Sequence, residues 1–91
     1  MIRLTLLTQN DCPSCVAGKR VLAELAEEFT LHVDEVDVKS EEGRALALQQ
    51  RLAFTPGLIT NGRLIAHGRL SKRALRRHFT KITTPTGTEG S

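Results

Sequence analysis

The chain has 91 residues, 40% of them apolar, and a net charge of +3. That length bounds it to one small domain with a modest core. Two cysteines are too few for a secreted disulfide framework. No stretch reads as a signal peptide or a membrane span, so a cytoplasmic, reducing location is expected. The only aromatics are Phe29, Phe54 and Phe79, so the core must come from Leu, Val, Ile and Ala.

IRLTLLT (2–8) reads as a buried strand. A helix is predicted from Pro13 to Phe29, with Val16, Leu22, Leu25, Ala26 and Phe29 at helical spacings and Lys19, Arg20, Glu24, Glu27 and Glu28 outside. LHVDEVDV (31–38) alternates like a strand, but its phase slips at Asp34-Glu35, which suggests a bulge or a late start. Ser40 can cap a second helix running to about Leu52, with Glu41 and Glu42 in its first turn. Its inward residues are expected to be Ala45 and Leu46, with Leu48 and Leu52 beside them.

Pro56 and Gly57 break that pattern, and Asn61-Gly62 between two apolar runs predicts a tight hairpin. Ser71 can cap a third helix through Phe79, with Ala74, Leu75 and Phe79 on one face. The domain is expected over 1–80, with a mobile tail over 81–91. The order is β-α-β-α-β-β-α. A strand–helix–strand start implies a parallel pair with a right-handed crossover. The hairpin adds an antiparallel pair, giving an α/β fold with a four-stranded mixed sheet flanked by three helices.

The chemistry concentrates in NDCPSC. Cys12 falls at the N-cap of the first helix, and Pro13 at the first helical position, where its missing N–H costs nothing. The Cys12 sulfur then faces the free N–H groups of Ser14 and Cys15 and the positive end of the helix. Both favour a thiolate, and lowered cysteine pKa values in such settings span roughly 3.5 to 7.5. Cys15, one turn on, lies on the same side, less exposed and close enough to form a disulfide. Cys12 would attack and Cys15 resolve. Asp11 opposes the thiolate, while Lys19, two turns away, can support it. Two other readings stand beside this one. The pair could be half a zinc site completed by two of His32, His67 and His78 or by carboxylates. The spacing of the last two, eleven residues, is not that of a zinc finger. The two thiols could also be inert.

CPSC between a strand and a helix, then Phe54-Thr55-Pro56 before a hairpin, resembles the thioredoxin/glutaredoxin superfamily, and CPSC followed by Gly18-Lys19 and Val21-Leu22 is similar to the glutaredoxin run. TPGLITNGRLIAHGRLS is similar to the hairpin of its small thioredoxin-like members. The resemblance covers about residues 1–79 and implies a thioredoxin-like fold. It implies a cis peptide before Pro56, lying against the cysteines, and a Thr55 backbone that pairs with a substrate strand. Pro13, Ser14, Thr55 and Pro56 are therefore the expected substrate-binding positions, around the catalytic Cys12 and Cys15. Departures are informative. The thioredoxin Trp is absent, and Gln9 stands where glutaredoxins carry lysine. Gly68-Arg69-Leu70-Ser71 replaces the glutaredoxin residues that hold glutathione.

The resulting expectation is a monomeric thiol–disulfide oxidoreductase with a redox-active Cys12–Cys15 disulfide and no bound cofactor or metal. Its partners would be disulfide-containing proteins and an external reductant. That reductant would be a thioredoxin-reductase-type flavoprotein in preference to glutathione. The alternatives are a glutathione-dependent glutaredoxin and a non-catalytic metal- or protein-binding domain. Residues 69–91 carry six Lys/Arg against Glu89 alone. That face is read as solvated, or as a steering patch for an acidic partner. Nucleic acid is not expected, because stacking aromatics and a binding module are both missing, and a membrane is not expected, because no stretch is long enough to span one.

Overall fold

The computed structural model describes residues 1–83. Its elements are β1 (Ile2–Thr8), α1 (Pro13–Leu25), β2 (Leu31–Asp37), α2 (Glu41–Gln49), β3 (Gly57–Thr60), β4 (Arg63–His67) and α3 (Lys72–Thr83). The sheet order is β2-β1-β3-β4. β1 pairs parallel with β2 and antiparallel with β3, and β3 pairs antiparallel with β4. The expected α/β architecture, four mixed strands and three helices, is the one observed.

The alternation of β1 sorts the core into two faces. Ile2, Leu4 and Leu6, with Leu58 of β3, point to one face. There they meet Leu22 and Leu25 of α1 and Leu75 and Phe79 of α3. Each such buried side chain contributes about 1.5–3 kcal/mol of transfer free energy. Leu7 and Ile59 are also buried, and strand alternation sends them to the opposite face. α2 lies there, beside β2. Phe29 and Phe79 lock the first layer edge to face, with ring centroids 5.6 Å apart.

α1 and α3 run in the same direction. Lys72 meets Glu24 at 2.9 Å, and one turn later Arg76 meets Glu28 at 2.7 Å. Two of the six basic residues of the 69–91 segment thus tie α3 to α1. Arg73, Arg77 and Lys81 recur every fourth residue on the solvent side.

Several predicted boundaries move. α1 stops at Leu25, because the chain tightens. Glu27 N–H bonds Glu24 O, and Glu28 N–H bonds Leu25 O. This turn aims Phe29 at Phe79. Val16 and Ala26 are exposed, and the buried face is Cys15, Gly18, Leu22 and Leu25. β2 has no bulge. Its register with β1 runs unbroken from Ile2↔Leu31 to Thr8↔Asp37. The apparent slip arises because Glu35, an exposed residue, takes the place after Leu31 and Val33 in the alternation, where the Lys19 ammonium pairs with it and the Thr8 hydroxyl donates to it. The irregularity lies instead in the β3–β4 pairing, between Leu58 and Ile59.

α2 ends at Gln49, and Leu52 N–H reaches back to Ala47 O through left-handed Arg51 (φ 55°). Its inner face runs through Gly43, Leu46 and Ala47, so Ala45 and Leu48 point outward. Gly43 sets this rotation, since a Cβ there would collide with the Asp37 carbonyl. In α3, Ala74 is exposed, and Leu75 and Phe79 carry the contact. α3 continues to Thr83, so 81–83, expected to begin the tail, are helical. The rest of that expected tail, 84–91, lies outside the described residues. Asn61 (φ 52°) and Gly62 (φ 74°) form the predicted hairpin turn.

Candidate active site

The end of β1, the start of α1 and the segment before β3 meet at one edge of the sheet. Cys12 is the N-cap of α1, with extended backbone (φ −119°, ψ 98°), and Pro13 opens the helix. The Cys12 sulfur accepts the Cys15 N–H at 3.1 Å. No acidic residue occupies the first turn of α1. The positive end of the helix is therefore directed at sulfur.

Cys12 and Cys15 are joined as a disulfide, with Cα atoms 5.2 Å apart. Cys12 is half-buried, whereas Cys15 is 2% exposed. A partner can therefore reach the first sulfur and not the second.

The Thr55–Pro56 peptide bond is cis, as the resemblance implied. Thr55 Oγ1 lies 3.5 Å from the Cys12 sulfur, and the Thr55 carbonyl oxygen lies 4.0 Å from it. In the oxidised protein the hydroxyl is the only donor of this pair. Two contacts hold the Pro56 segment in place. Gly68 N–H donates to the Pro56 carbonyl at 2.8 Å, with Gly68 at φ 75°. Gly18, on the buried face of α1, lets the helix approach closely. A Cβ there would lie 3.0 Å from Leu70 Cδ1 and 3.3 Å from Pro56 Cγ. Substituting a larger side chain would push the cysteine helix away from Pro56.

The remaining sequence candidates are spread around this centre. Pro13 and Ser14 are exposed beside Cys12. Asp11 has left-handed backbone (φ 53°) and lines a cleft of about 820 Å³ beside the disulfide. Lys19 lines the same cleft, but its ammonium pairs with Glu35 at 2.9 Å. Its charge is thus largely committed to that carboxylate, not to sulfur. The histidines are scattered. His32 pairs with Asp34 on the edge strand β2, while His67 and His78 line a separate depression near Ser71. Among the described residues no group of three or more His, Cys, Asp or Glu side chains could hold a metal ion.

Sequence reasoning missed Thr8, Val16, Glu35 and Asp37, which complete the wall of the larger cleft. It also gave no role to Phe54, which stands beside Thr55 and is 70% exposed. Thr8 faces Asp37 in the parallel register, and Glu35 pairs with Leu6. An alternating strand pattern interrupted by an acid was the available signal for Glu35.

Among the described residues no helix is long and apolar enough to cross a membrane. A model of the glutaredoxin-like domain (DUF836) matches residues 3–80. The chain is 30% identical over 74 residues to a thioredoxin of Methanocaldococcus jannaschii, covering 81% of this chain and 87% of that protein. It is similar in structure to a mutant thioredoxin from Halobacterium salinarum, with a TM-score of 0.70 and 24% identity. That likeness covers 92% of this chain and 76% of the other. It is also similar to glutaredoxin 1 from Francisella tularensis, with a TM-score of 0.56 and 19% identity over 93% of this chain and 100% of that one. These structural likenesses carry the fold. The fold and a cysteine pair at disulfide distance are the equipment of a thiol–disulfide oxidoreductase in general. With the family model spanning most of its length, the chain belongs to the glutaredoxin-like domain family of the thioredoxin/glutaredoxin superfamily.

Proposed function

We propose that this protein is a dithiol electron carrier that reduces disulfides in partner proteins. One observation carries the reading: an accessible sulfur, Cys12, caps a helix N-terminus, while its bonded partner Cys15 is buried one turn inside. In the reduced protein the Cys12 thiolate attacks one sulfur of a partner disulfide. A bond forms between Cys12 and that sulfur, the partner S–S bond breaks, and the second partner sulfur leaves as a thiolate that takes a proton. Cys15 then gives up its proton and attacks the Cys12 sulfur. The intramolecular disulfide closes, the mixed disulfide breaks, and the first partner sulfur leaves and is protonated. The partner gains two electrons and two protons.

Thr55 and cis Pro56 act as the substrate rest. The Thr55 hydroxyl, 3.5 Å from Cys12 sulfur, donates to the thiolate, and the Thr55 backbone receives an extended partner segment. Pro13 and Ser14 form the facing wall. Asp11 moderates the thiolate, and Lys19 acts through Glu35. The working compartment is a reducing one, and the electrons return from a flavoprotein of the thioredoxin-reductase type. Gly68-Arg69-Leu70-Ser71 supports this over glutathione, because the acidic pair that would hold the glutathione amine is absent.

The Cys15→Ser protein tests the reading. It should accumulate a mixed disulfide on Cys12 with a peptide-disulfide substrate, seen by intact mass. Turnover should stop after the first exchange. A Cys15→Ser protein that captures only glutathione would favour the glutathione-dependent alternative. One that captures nothing would favour a binding domain.

A further inference from the structure

Of the three phenylalanines, Phe29 and Phe79 pack against each other in the core. Phe54 alone is exposed, at 70%, so the fold makes little use of it. It follows Ala53 and directly precedes Thr55, within the segment that faces Cys12. A second pocket, of about 370 Å³, opens there. Pro13, Val38, Ala47, Leu52 and Phe54 give it apolar walls, Gln9 and Asp11 line it as well, and it reaches Cys12 and Thr55. The pocket is thus continuous with the redox site.

The backbone beside it is open as well. Ala53, Phe54 and Thr55 are bonded to no other backbone group among the described residues. Their N–H and C=O groups are available to an extended segment. A segment laid along 53–55 with its cysteine at Cys12 must place a neighbouring side chain over this pocket, because side chains alternate along an extended chain. An aromatic wall and aliphatic floor accept an apolar side chain, and the Asp11 carboxylate at the same pocket repels an acidic one. Aromatic residues flanked by such pockets are the usual anchors of interfaces.

We infer that Phe54 is a specificity-determining residue: it selects partner disulfides whose cysteine has a bulky apolar residue within two positions. The inference rests on the disulfide-reductase reading and adds the substrate class to it. Leu48, 81% exposed on α2, does not line the pocket and provides the internal control.

The probes are two short peptides, each dimerised through one cysteine. They are identical except that the two residues on either side of the cysteine are leucine in one and serine in the other. The second-order rate of reduction by the reduced protein is measured for each. The wild-type protein should prefer the leucine probe about tenfold, the scale of one partly buried apolar side chain. Phe54→Ser should lose most of that preference through KM, while the Cys12–Cys15 midpoint potential stays at the wild-type value. Phe54→Leu should restore it in part, and Leu48→Ser should retain it in full. Equal wild-type rates for the two probes, or a Phe54→Ser protein that keeps the preference, would overturn the inference and leave the reductase reading standing. A wild-type protein that reduces neither probe would overturn both.

Discussion

Helices α1 and α2 start with the same local geometry. The residue before each is extended, and its side chain accepts the N–H three residues on, at 3.1 Å from Cys15 to Cys12 and 2.9 Å from Gly43 to Ser40. They differ in the first turn beyond the cap. α2 fills that turn with Glu41 and Glu42, which complement the helix dipole. α1 has Pro13 and no acid there, so its positive end is left for the capping sulfur. The same cap serves stability in α2, and on the proposed reading it serves reactivity in α1. A hydroxyl stays a neutral acceptor at any accessible pH, whereas a thiol at that position can ionise.

Cys12→Ser breaks the comparison most severely. Serine is a good N-cap, so the variant should melt close to the reduced wild type. Its dithiothreitol-driven reduction of a peptide disulfide should nevertheless fall to the uncatalysed rate. Ser40→Ala comes next. It removes the cap of α2 and should cost about 1 kcal/mol in urea unfolding. The alkylation rate of Cys12 should not change.

Ser14→Glu makes α1 resemble α2 by placing an acid in its first turn. The dipole interaction is worth roughly 0.3–1 kcal/mol, and the new carboxylate also repels the thiolate. Alkylation of Cys12 at pH 6 should therefore slow several-fold, while stability holds or rises slightly. An unchanged alkylation rate would show that the helix end does not activate the sulfur.

The smallest effect lies at the other end of α1. The hydrogen bond from Arg76 holds the Glu28 carboxyl below the usual glutamate range, aided by the charges of Arg76 and Lys72. A carboxylate with a lowered folded pKa contributes stability that is complete above its unfolded pKa. That contribution is lost as pH falls through the folded value. The stability difference between wild type and Arg76→Ala should therefore be present at pH 7 and shrink as the pH drops below the ordinary glutamate range. Urea melts at a series of pH values check this, and a difference that grows on acidification contradicts it.

Much of this arrangement was legible in the residues, because the signals were local. Pro13 at the first helical position, Ser40 and Ser71 before helical runs, and Asn61-Gly62 between strands each report a backbone constraint a few residues long. Cys12 at an N-cap comes from the same logic. The failures came where a distant partner decides. Leu48 and Val16 fit apolar helical stripes, but contacts at Gly43 and Gly18 rotate their helices so that both face outward. Glu35 interrupted a strand pattern and suggested a bulge, yet the register is unbroken and the exposed carboxylate is met by Lys19 and Thr8, from two other elements. The cis bond at Pro56 came from resemblance, since periodicity carries no information on it. Phe54 was noticed only as the residue before Thr55-Pro56, with no role of its own. Its exposure is visible only beside Cys12 and Thr55.

An equilibrium redox titration decides whether the Cys12–Cys15 pair is a reversible electron carrier. The purified, metal-stripped protein is equilibrated across a series of thiol–disulfide buffers, trapped, and followed by intact mass. A reversible carrier predicts clean two-electron closure of the Cys12–Cys15 disulfide, with a midpoint roughly in the −200 to −270 mV range of thioredoxins and glutaredoxins. A pair that never closes, or closes only under strong oxidant, would contradict the account and leave the helix cap without a redox role.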